Sequence, residues 1–396
     1  MAAPTHRTGR PLGSEAVIVA RLSTAPGLTN LEAHALAGLI DAEGCFLLAR
    51  NGKTLTCSLS VALRDDDAEM LGFFRDRTGL GHLRSQPARA SSNPQAIWHI
   101  SSKLECARLV DLLDDHPLYG RKQREAAIWS KWVRQWNRKH YGGPSSLRGQ
   151  LQEASRRLAT ERQYYPFMSA APVPQPQSTE ALTGFLGGFF SGDGCLVLNS
   201  AERRARVRVH LRRDDLPLLR CFKQRLGIGR VYDHRQRSRT PTASWVVFSR
   251  RELRTAIEVL DASPLLGRKK KQYAAWRVAA MELAEADRTG RKPDPETLER
   301  AREELTAVSR YRPDTFMPSV ADRDEDARQA LIDLMREWAT DAEGPLSCLA
   351  YSRAAQYHRH WPQRDTIART FGSWHGALVA AGVESRAARP PHSRDV

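Results

Sequence analysis

Two carboxylates stand at corresponding places in two segments rich in small residues. One segment runs Leu36-Ala37-Gly38-Leu39-Ile40-Asp41-Ala42-Glu43-Gly44, the other Leu186-Gly187-Gly188-Phe189-Phe190-Ser191-Gly192-Asp193-Gly194. Small residues recur one helical turn apart, as Gly38 and Ala42, then Gly184, Gly188 and Gly192. A glycine inside a helix costs about 1 kcal/mol against alanine, so a series of them needs a reason, and close approach of two helices supplies one. Packed in parallel, such helices bring Glu43 and Asp193 together beside two negative helix ends. That arrangement is repulsive unless a cation relieves it. Hard carboxylate oxygens suit Mg²⁺, with water and phosphate oxygens completing its shell. Metal ions between carboxylates and a phosphodiester can activate water and stabilise the leaving oxygen. The chemistry open to these residues is therefore metal-assisted phosphodiester hydrolysis.

The elements that must position them recur in a long internal repeat. Gly44 and Gly194 lie 150 residues apart, Ala62 and His210 148 apart, and Trp98 and Trp245 147 apart. Gly120 with Gly267, Trp129 with Trp276, Leu158 with Leu305, Tyr164 with Tyr311 and Pro166 with Pro313 keep the last offset. The shifts fall where the chain reads as turns. Each copy opens with a helix, the first carrying a capping box at Thr29-x-x-Glu32. Two strands follow. In the second copy the longer one alternates strictly, with Val207, Val209 and Leu211 on one face and Arg206, Arg208, His210 and Arg212 on the other. In the first copy Leu55, Cys57, Leu59, Val61 and Leu63 oppose Thr56, Ser58, Ser60, Ala62 and Arg64. A helix opened by an aspartate cap (Asp66 or Asp67; Asp214 or Asp215), a Gly-x-Gly, two more strands and a further helix complete the copy. The order αββαββα, twice, predicts an α+β fold with an antiparallel sheet in each copy and helices on one face.

The uncovered sheet faces are where a partner should bind. Arg206, Arg208, His210 and Arg212, with His82, Arg84 and Gln86 in the first copy, would repel one another unless a polyanion or solvent relieves them. A curved β surface of this kind fits the major groove of DNA, where Arg and Gln read base edges; a merely solvated basic face is the alternative. Arg230 joins the DNA-contact candidates, and Arg64 and Arg212, ending the long strands, are weaker ones. Composition agrees: 61 Lys and Arg against 45 Asp and Glu give a net charge of +16 over 396 residues, a balance that points to nucleic acid. No apolar run approaches the roughly 18 residues of a membrane span. The N-terminus lacks the apolar core of a secretory signal. Six scattered cysteines without a C-x-x-C pair argue against a disulfide framework or a cysteine zinc site. A reduced, cytoplasmic protein is expected, nucleoid-associated in a bacterial host.

LAGLIDAEG closely resembles the signature of the LAGLIDADG homing endonucleases, and LGGFFSGDG looks like its divergent second copy. The resemblance covers residues 28 to 316 and includes the repeat, the Gly-x-Gly and the Pro-Leu-x-Gly-Arg-Lys elements. It implies a monomer of two pseudo-symmetric halves whose saddle-shaped sheets sit over a long, asymmetric double-stranded target. It also implies cleavage of both strands across the minor groove, leaving 3′ overhangs, with two or three divalent ions (Mg²⁺, for which Mn²⁺ substitutes). The family's acidic metal ligand maps onto Glu43 and Asp193, with the carbonyls of Ala42 and Gly192 as further ligands. Its active-site lysine maps onto Lys122 and Lys269, which would stabilise charge on the phosphate or orient water; plain phosphate-backbone contact is the alternative. Two departures stand out. Glu43 replaces the commoner aspartate, and Ser191 stands where the first copy has Asp41, a position that usually caps a helix.

The expected organisation is a disordered tail (1–27), a first repeat (28–168), a Pro-rich linker (169–178), a second repeat (179–318), a helical segment (319–384) and a second disordered tail (385–396). The helical segment reads as three short helices, the last broken near Gly372, with Pro362 and Asp365 at its start. Its Phe371-Gly372-Ser373-Trp374 pattern is similar to the helical repeat often attached to homing endonucleases, which implies a helix-turn-helix-like DNA contact; a partner-binding or stabilising bundle is the alternative. His358, His360 and His375 are expected at the surface rather than on a metal. A Met start and the lack of splicing-junction residues argue against a whole intein. The expected activity is site-specific, Mg²⁺-dependent DNA cleavage; the alternative is a non-cleaving DNA-binding regulator of the same fold or an RNA-splicing maturase.

Overall fold

The small-residue segments form two helices, α1 (Asn30–Glu43) and α6 (Thr179–Asp193). A computed structural model describes residues 25–51, 54–87, 93–138, 145–163, 174–234, 240–311, 318–342, 345–354, 364–371 and 373–383. The tail expectations for 1–24 and 385–396, the linker residues 169–173, and Tyr164, Pro166, Pro313, His358, His360, Pro362 and Gly372 lie outside the described residues. Thr29 caps α1 in the expected box: its hydroxyl accepts the Glu32 N–H at 3.2 Å, and Glu32 accepts the Thr29 N–H at 2.8 Å. Apolar or small side chains cover almost the whole circumference of both helices, and both are buried along most of their length, as helices without a polar face must be.

Each opening helix feeds a four-stranded antiparallel sheet. In the first copy β1 (Gly44–Asn51), β2 (Thr54–Arg64), β3 (His82–Gln86) and β4 (Gln95–Ile100) take the order β1-β2-β4-β3, with α2 (Ala68–Thr78) between β2 and β3 and α3 (Lys103–Asp115) after β4. The copy continues past the expected order with α4 (Lys122–Arg138) and α5 (Ser145–Arg162). The second copy repeats this: β5 (Gly194–Asn199), β6 (Arg204–Arg212), α7 (Leu216–Leu226), β7 (Arg230–His234), β8 (Thr242–Val247), α8 (Arg250–Asp261), α9 (Gly267–Thr289) and α10 (Pro295–Ser309), in sheet order β5-β6-β8-β7. The period-2 pattern is kept, with Ala205, Val207, Val209 and Leu211 buried and Arg204, Arg206, Arg208 and His210 exposed.

The duplication persists in individual bonds. Trp98 Nε1 donates to the Leu80 carbonyl at 2.8 Å and Trp245 Nε1 to that of Ile228 at 3.0 Å. Glu105 accepts the Gly81 N–H at 3.0 Å and Glu252 that of Gly229 at 3.2 Å. These pairs fix the Gly-x-Gly turns onto the sheets and satisfy buried polar groups that would otherwise cost about 1–3 kcal/mol each.

Residues 24–317 form one compact unit, and residues 318 onward belong to another. Taken by itself, the second contains α11 (Pro318–Asp341), α12 (Cys348–Ala354), α13 (Arg364–Thr370) and α14 (Trp374–Ala381). The expected third helix is divided into α13 and α14 on either side of the position where a break was expected. Met335, Trp338, Tyr351, Ile367 and Leu378 form its core, in which the Trp338 and Tyr351 rings meet edge-on with centroids 5.1 Å apart. No helix among the described residues is long and apolar enough to cross a membrane.

Candidate active site

The seam between α1 and α6 is set by backbone contact. A methyl group added at Gly188 would lie 1.7 Å from the Ala35 carbonyl oxygen, and one at Gly38 would lie 2.0 Å from that of Phe185. Further along, Gly184 faces Leu31 and Gly192 faces Ala42 and Glu43. Contacts advance in the same direction on both helices, so the pair is parallel and its C-terminal ends coincide. Glu43 and Asp193 meet there: the Glu43 side chain lies against Gly192, and its charge acts on Asp193.

Electrostatics at this point match the crowding. Surrounding protein atoms, and then the Glu43 charge, push the Asp193 carboxyl up to about 6. Its surface is nonetheless exposed: it is hemmed on the protein side and open on the other. Burial raises Glu43 as well, opposed by the Lys122 charge. Desolvation depresses both Lys122 and Lys269 below the ordinary lysine range. Lys122 Nζ donates to the Ala42 carbonyl at 2.6 Å, whereas Lys269 Nζ donates to the Gly194 carbonyl at 2.6 Å. The two lysines thus flank the carboxylates but engage non-equivalent carbonyls. No cluster of three or more His, Cys, Asp or Glu with metal-ligand geometry occurs among the described residues. A cation here would draw on two carboxylates, backbone carbonyls and oxygens from outside the protein. Two carboxylates brought together at a rim, one raising the proton affinity of the other, fit a hard divalent ion.

Behind the carboxylates, the loops bearing the lysines are held by further acids. Asp41 accepts the N–H groups of Tyr119 and Gly120, the former at 2.9 Å. Ser191, its counterpart, accepts only the Leu266 N–H at 3.0 Å while donating to the Gly187 carbonyl. Both side chains thus bond the stretch leading into a lysine-bearing helix, Asp41 ahead of α4 and Ser191 ahead of α9. Full burial, and then the neighbouring Asp215, push Asp41 up to about 7, and burial pushes Asp215 up to about 6. The aspartates expected to cap α2 and α7 do not do so. Asp67 and Asp215 make no side-chain cap bond to their own helices. Asp67 instead accepts the Arg268 N–H at 2.7 Å, and Asp215 accepts the Arg121 N–H at 2.6 Å. These contacts were missed in the sequence, where the recurrence of the Asp pair in both copies was the available signal.

The sheet faces differ. On the second sheet Arg206, Arg208 and His210 line a concavity of about 1050 Å³ together with Tyr232, His234 and Phe248. Arg230 is exposed and lies over the Phe248 ring at 5.2 Å. On the first sheet His82 and Arg84 are exposed and Gln86 is half-buried, beside an otherwise Ser- and Thr-rich face. Arg64 and Arg212 stand apart from this row. Arg64 is bonded to Asp66 at 2.6 Å, and Arg212 to Asp214 at 2.8 Å and to the Arg162 carbonyl at 2.5 Å. In the helical unit His375 is exposed.

A fold of two αββαββα copies joined at glycine-seamed helices, with acids converging at the helix ends, defines a two-repeat LAGLIDADG architecture. The family model described as LAGLIDADG endonuclease matches residues 36–133 and again 186–280, and the chain belongs to that family in its single-chain, two-repeat form. Among solved structures, the LAGLIDADG meganuclease I-AabMI bound to uncleaved DNA is similar at 17% identity and TM-score 0.53, over 69% of this chain and 98% of that one. I-GzeII in complex with its DNA target is similar at 16% identity and TM-score 0.52, over 70% and 96%. I-SmaMI bound to uncleaveable DNA with a TTCT central four is similar at 20% and 0.52, over 72% and 100%. At these identities the likeness establishes the fold. No curated protein matches the sequence.

Proposed function

We propose that the chain is a site-specific homing endonuclease. As a monomer acting as a pseudo-dimer, it makes a divalent-metal-dependent break in both strands of a long, asymmetric DNA target and leaves 3′ overhangs. One observation carries the reading: Glu43 and Asp193 converge at an open rim where two parallel helices end. Both would hold Mg²⁺, or Mn²⁺ in its place, with the carbonyls of Ala42 and Gly192 as further oxygen donors. When bound, such ions supply Lewis-acid stabilisation of the reacting phosphate and activation of water. The protein's own part is positioning and charge. The seam fixes the spacing of the carboxylates. Lys122 and Lys269, held against the carboxylates, are placed to stabilise charge developing on each scissile phosphate.

DNA contact is assigned to the open sheet faces: Arg206, Arg208, His210 and Arg230 on the second, and His82, Arg84 and Gln86 on the first. Arg64 and Arg212, tied to aspartates, retain at most phosphate contact. The helical unit from 318 onward is assigned as an additional DNA contact, and the protein as cytoplasmic. That the similar meganucleases are seen on DNA supports the partner.

The test is incubation of a randomised or genomic double-stranded DNA library with the chain and Mg²⁺, followed by sequencing of the ends. Recovery of one long site with 3′ overhangs is expected. Glu43→Gln and Asp193→Asn should each abolish cutting of that site while DNA binding persists. Selective binding without cleavage under any divalent ion would move the assignment to a regulator, or to a maturase if intron RNA is the preferred ligand.

A further inference from the structure

Asp67 and Asp215 are almost fully buried, yet each reaches out of its own copy. Asp215 accepts the Arg121 backbone N–H at 2.6 Å and pairs with its guanidinium at 3.3 Å. Asp67 accepts the Arg268 N–H at 2.7 Å and pairs with that guanidinium at 3.2 Å. In each case the next residue is the lysine at the site, Lys122 or Lys269. The loops are shaped for the acids. A side chain at Gly267, where φ is +54°, would place its first carbon 2.6 Å from Asp67 Oδ1, and one at Gly120 would lie 3.1 Å from Asp215 Oδ1. Both carboxylates sit at the start of a helix, where backbone N–H groups lack intrahelical partners and negative charge is favoured.

We infer that Asp67 and Asp215 are positioning residues acting across the duplication: the second copy's Asp215 sets the first copy's Lys122, and the first copy's Asp67 sets the second copy's Lys269. This rests on the proposed endonuclease reading. The two clamps are unequal. The Lys122 loop is also held by Asp41 through two N–H groups, whereas the Lys269 loop has only Ser191 and one N–H. Lys269 therefore depends more on Asp67 than Lys122 does on Asp215.

The site recovered from the library, labelled differently on its two strands, provides the test. Lys122→Met and Lys269→Met first establish which strand each lysine serves. Asp215→Ala should then slow the strand slowed by Lys122→Met, and Asp67→Ala the strand slowed by Lys269→Met. The bias should be roughly tenfold to hundredfold, as expected for a displacement near 1 Å, and larger for Asp67→Ala. DNA affinity should be unchanged. Asp67→Asn and Asp215→Asn, which keep an acceptor for the N–H, guard against misfolding and should recover part of the rate on the affected strand. Equal slowing of both strands, bias toward the same-copy lysine, or no slowing overturns the inference while leaving the endonuclease reading intact. A wild-type chain that cuts no DNA overturns both.

Discussion

Replacing Gly188 by alanine probes the joint on which the site depends. The added methyl would sit 1.7 Å from the Ala35 carbonyl oxygen and 2.6 Å from its carbon. Both atoms are backbone, so no rotamer change relieves the clash. Restoring an ordinary contact near 3.4 Å requires the helices to part by about 1.7 Å, a gap that forfeits a quarter to half or more of the dispersion along the seam. Overpacking of this kind costs about 1–3 kcal/mol or more, and the better helix propensity of alanine returns about 1 kcal/mol. A net loss near 2 kcal/mol is expected, with a fall in melting temperature of about 3 °C for a unit of this size. The same parting displaces Glu43 from Asp193, so cleavage should fall about a hundredfold. Gly149→Ala is the control: that glycine is at an exposed position of α5 with no atom near its added methyl, and the change should stabilise slightly. Thermal melts and single-turnover cleavage of both variants decide the matter. Gly188→Ala melting and cutting like Gly149→Ala would refute the argument that backbone contact sets the carboxylate spacing.

Other outcomes follow from the same geometry. Arg206→Ala with Arg208→Ala should lower the slope of log affinity against log salt by about 1.8, or 0.9 per lost phosphate contact; titration by fluorescence anisotropy at several salt concentrations measures it, and an unchanged slope counts against the basic face. Asp41, raised from 3.8 to about 7, keeps in the folded chain a proton that the unfolded chain releases. Stability should therefore fall as pH rises from about 4 through 7, by at most about 4 kcal/mol. Asp41→Asn should flatten that part of the profile in denaturant titrations; an unaltered slope would contradict the assignment. Trp338→Ala, which removes a ring packed on Tyr351 and Trp374, should cost the helical unit about 3–5 kcal/mol, seen as selective proteolysis beyond residue 318. Intact resistance there would argue against that core.

The seam and the sheets were legible because their signals are local and periodic. Glycines one turn apart pick out the close face of α1 and α6, and the alternation from Ala205 to Arg212 separates the two faces of β6. The duplication then turned one copy's ambiguities into the other's evidence. Asp67 and Asp215 were misread because an aspartate before a helix has a good local solution, its own first turn, and nothing nearby in sequence reveals a competing N–H 94 or 201 residues away. Arg64 and Arg212 belong by periodicity to the open row, but an aspartate two residues on captures each guanidinium at the strand end. In α4 and α5 the order αββαββα was extended by helices that find their apolar partners only once the sheet exists, such as Trp129 against Phe46 at 5.3 Å.

What the two copies share and where they differ divides by distance from the common axis. The bonds that shape each half, Trp98 and Trp245 to loop carbonyls and the two crossed aspartates, are kept on both sides. They must be, since both halves serve one pair of carboxylates and a shift in either moves both. The outer faces carry no such constraint. The second sheet presents exposed Arg204, Arg206 and Arg208 along one strand, where the first has half-buried Thr56 and Ser60 and a buried Ser58. Arginine forks suit guanine edges and phosphates, whereas short hydroxyls contribute little charge. On the proposed function, the half-site under the second copy should therefore supply most of the salt-sensitive affinity. The half-site under the first should be read through the fewer direct contacts of His82, Arg84 and Gln86, and an asymmetric target follows from the divergence of the faces around a shared centre.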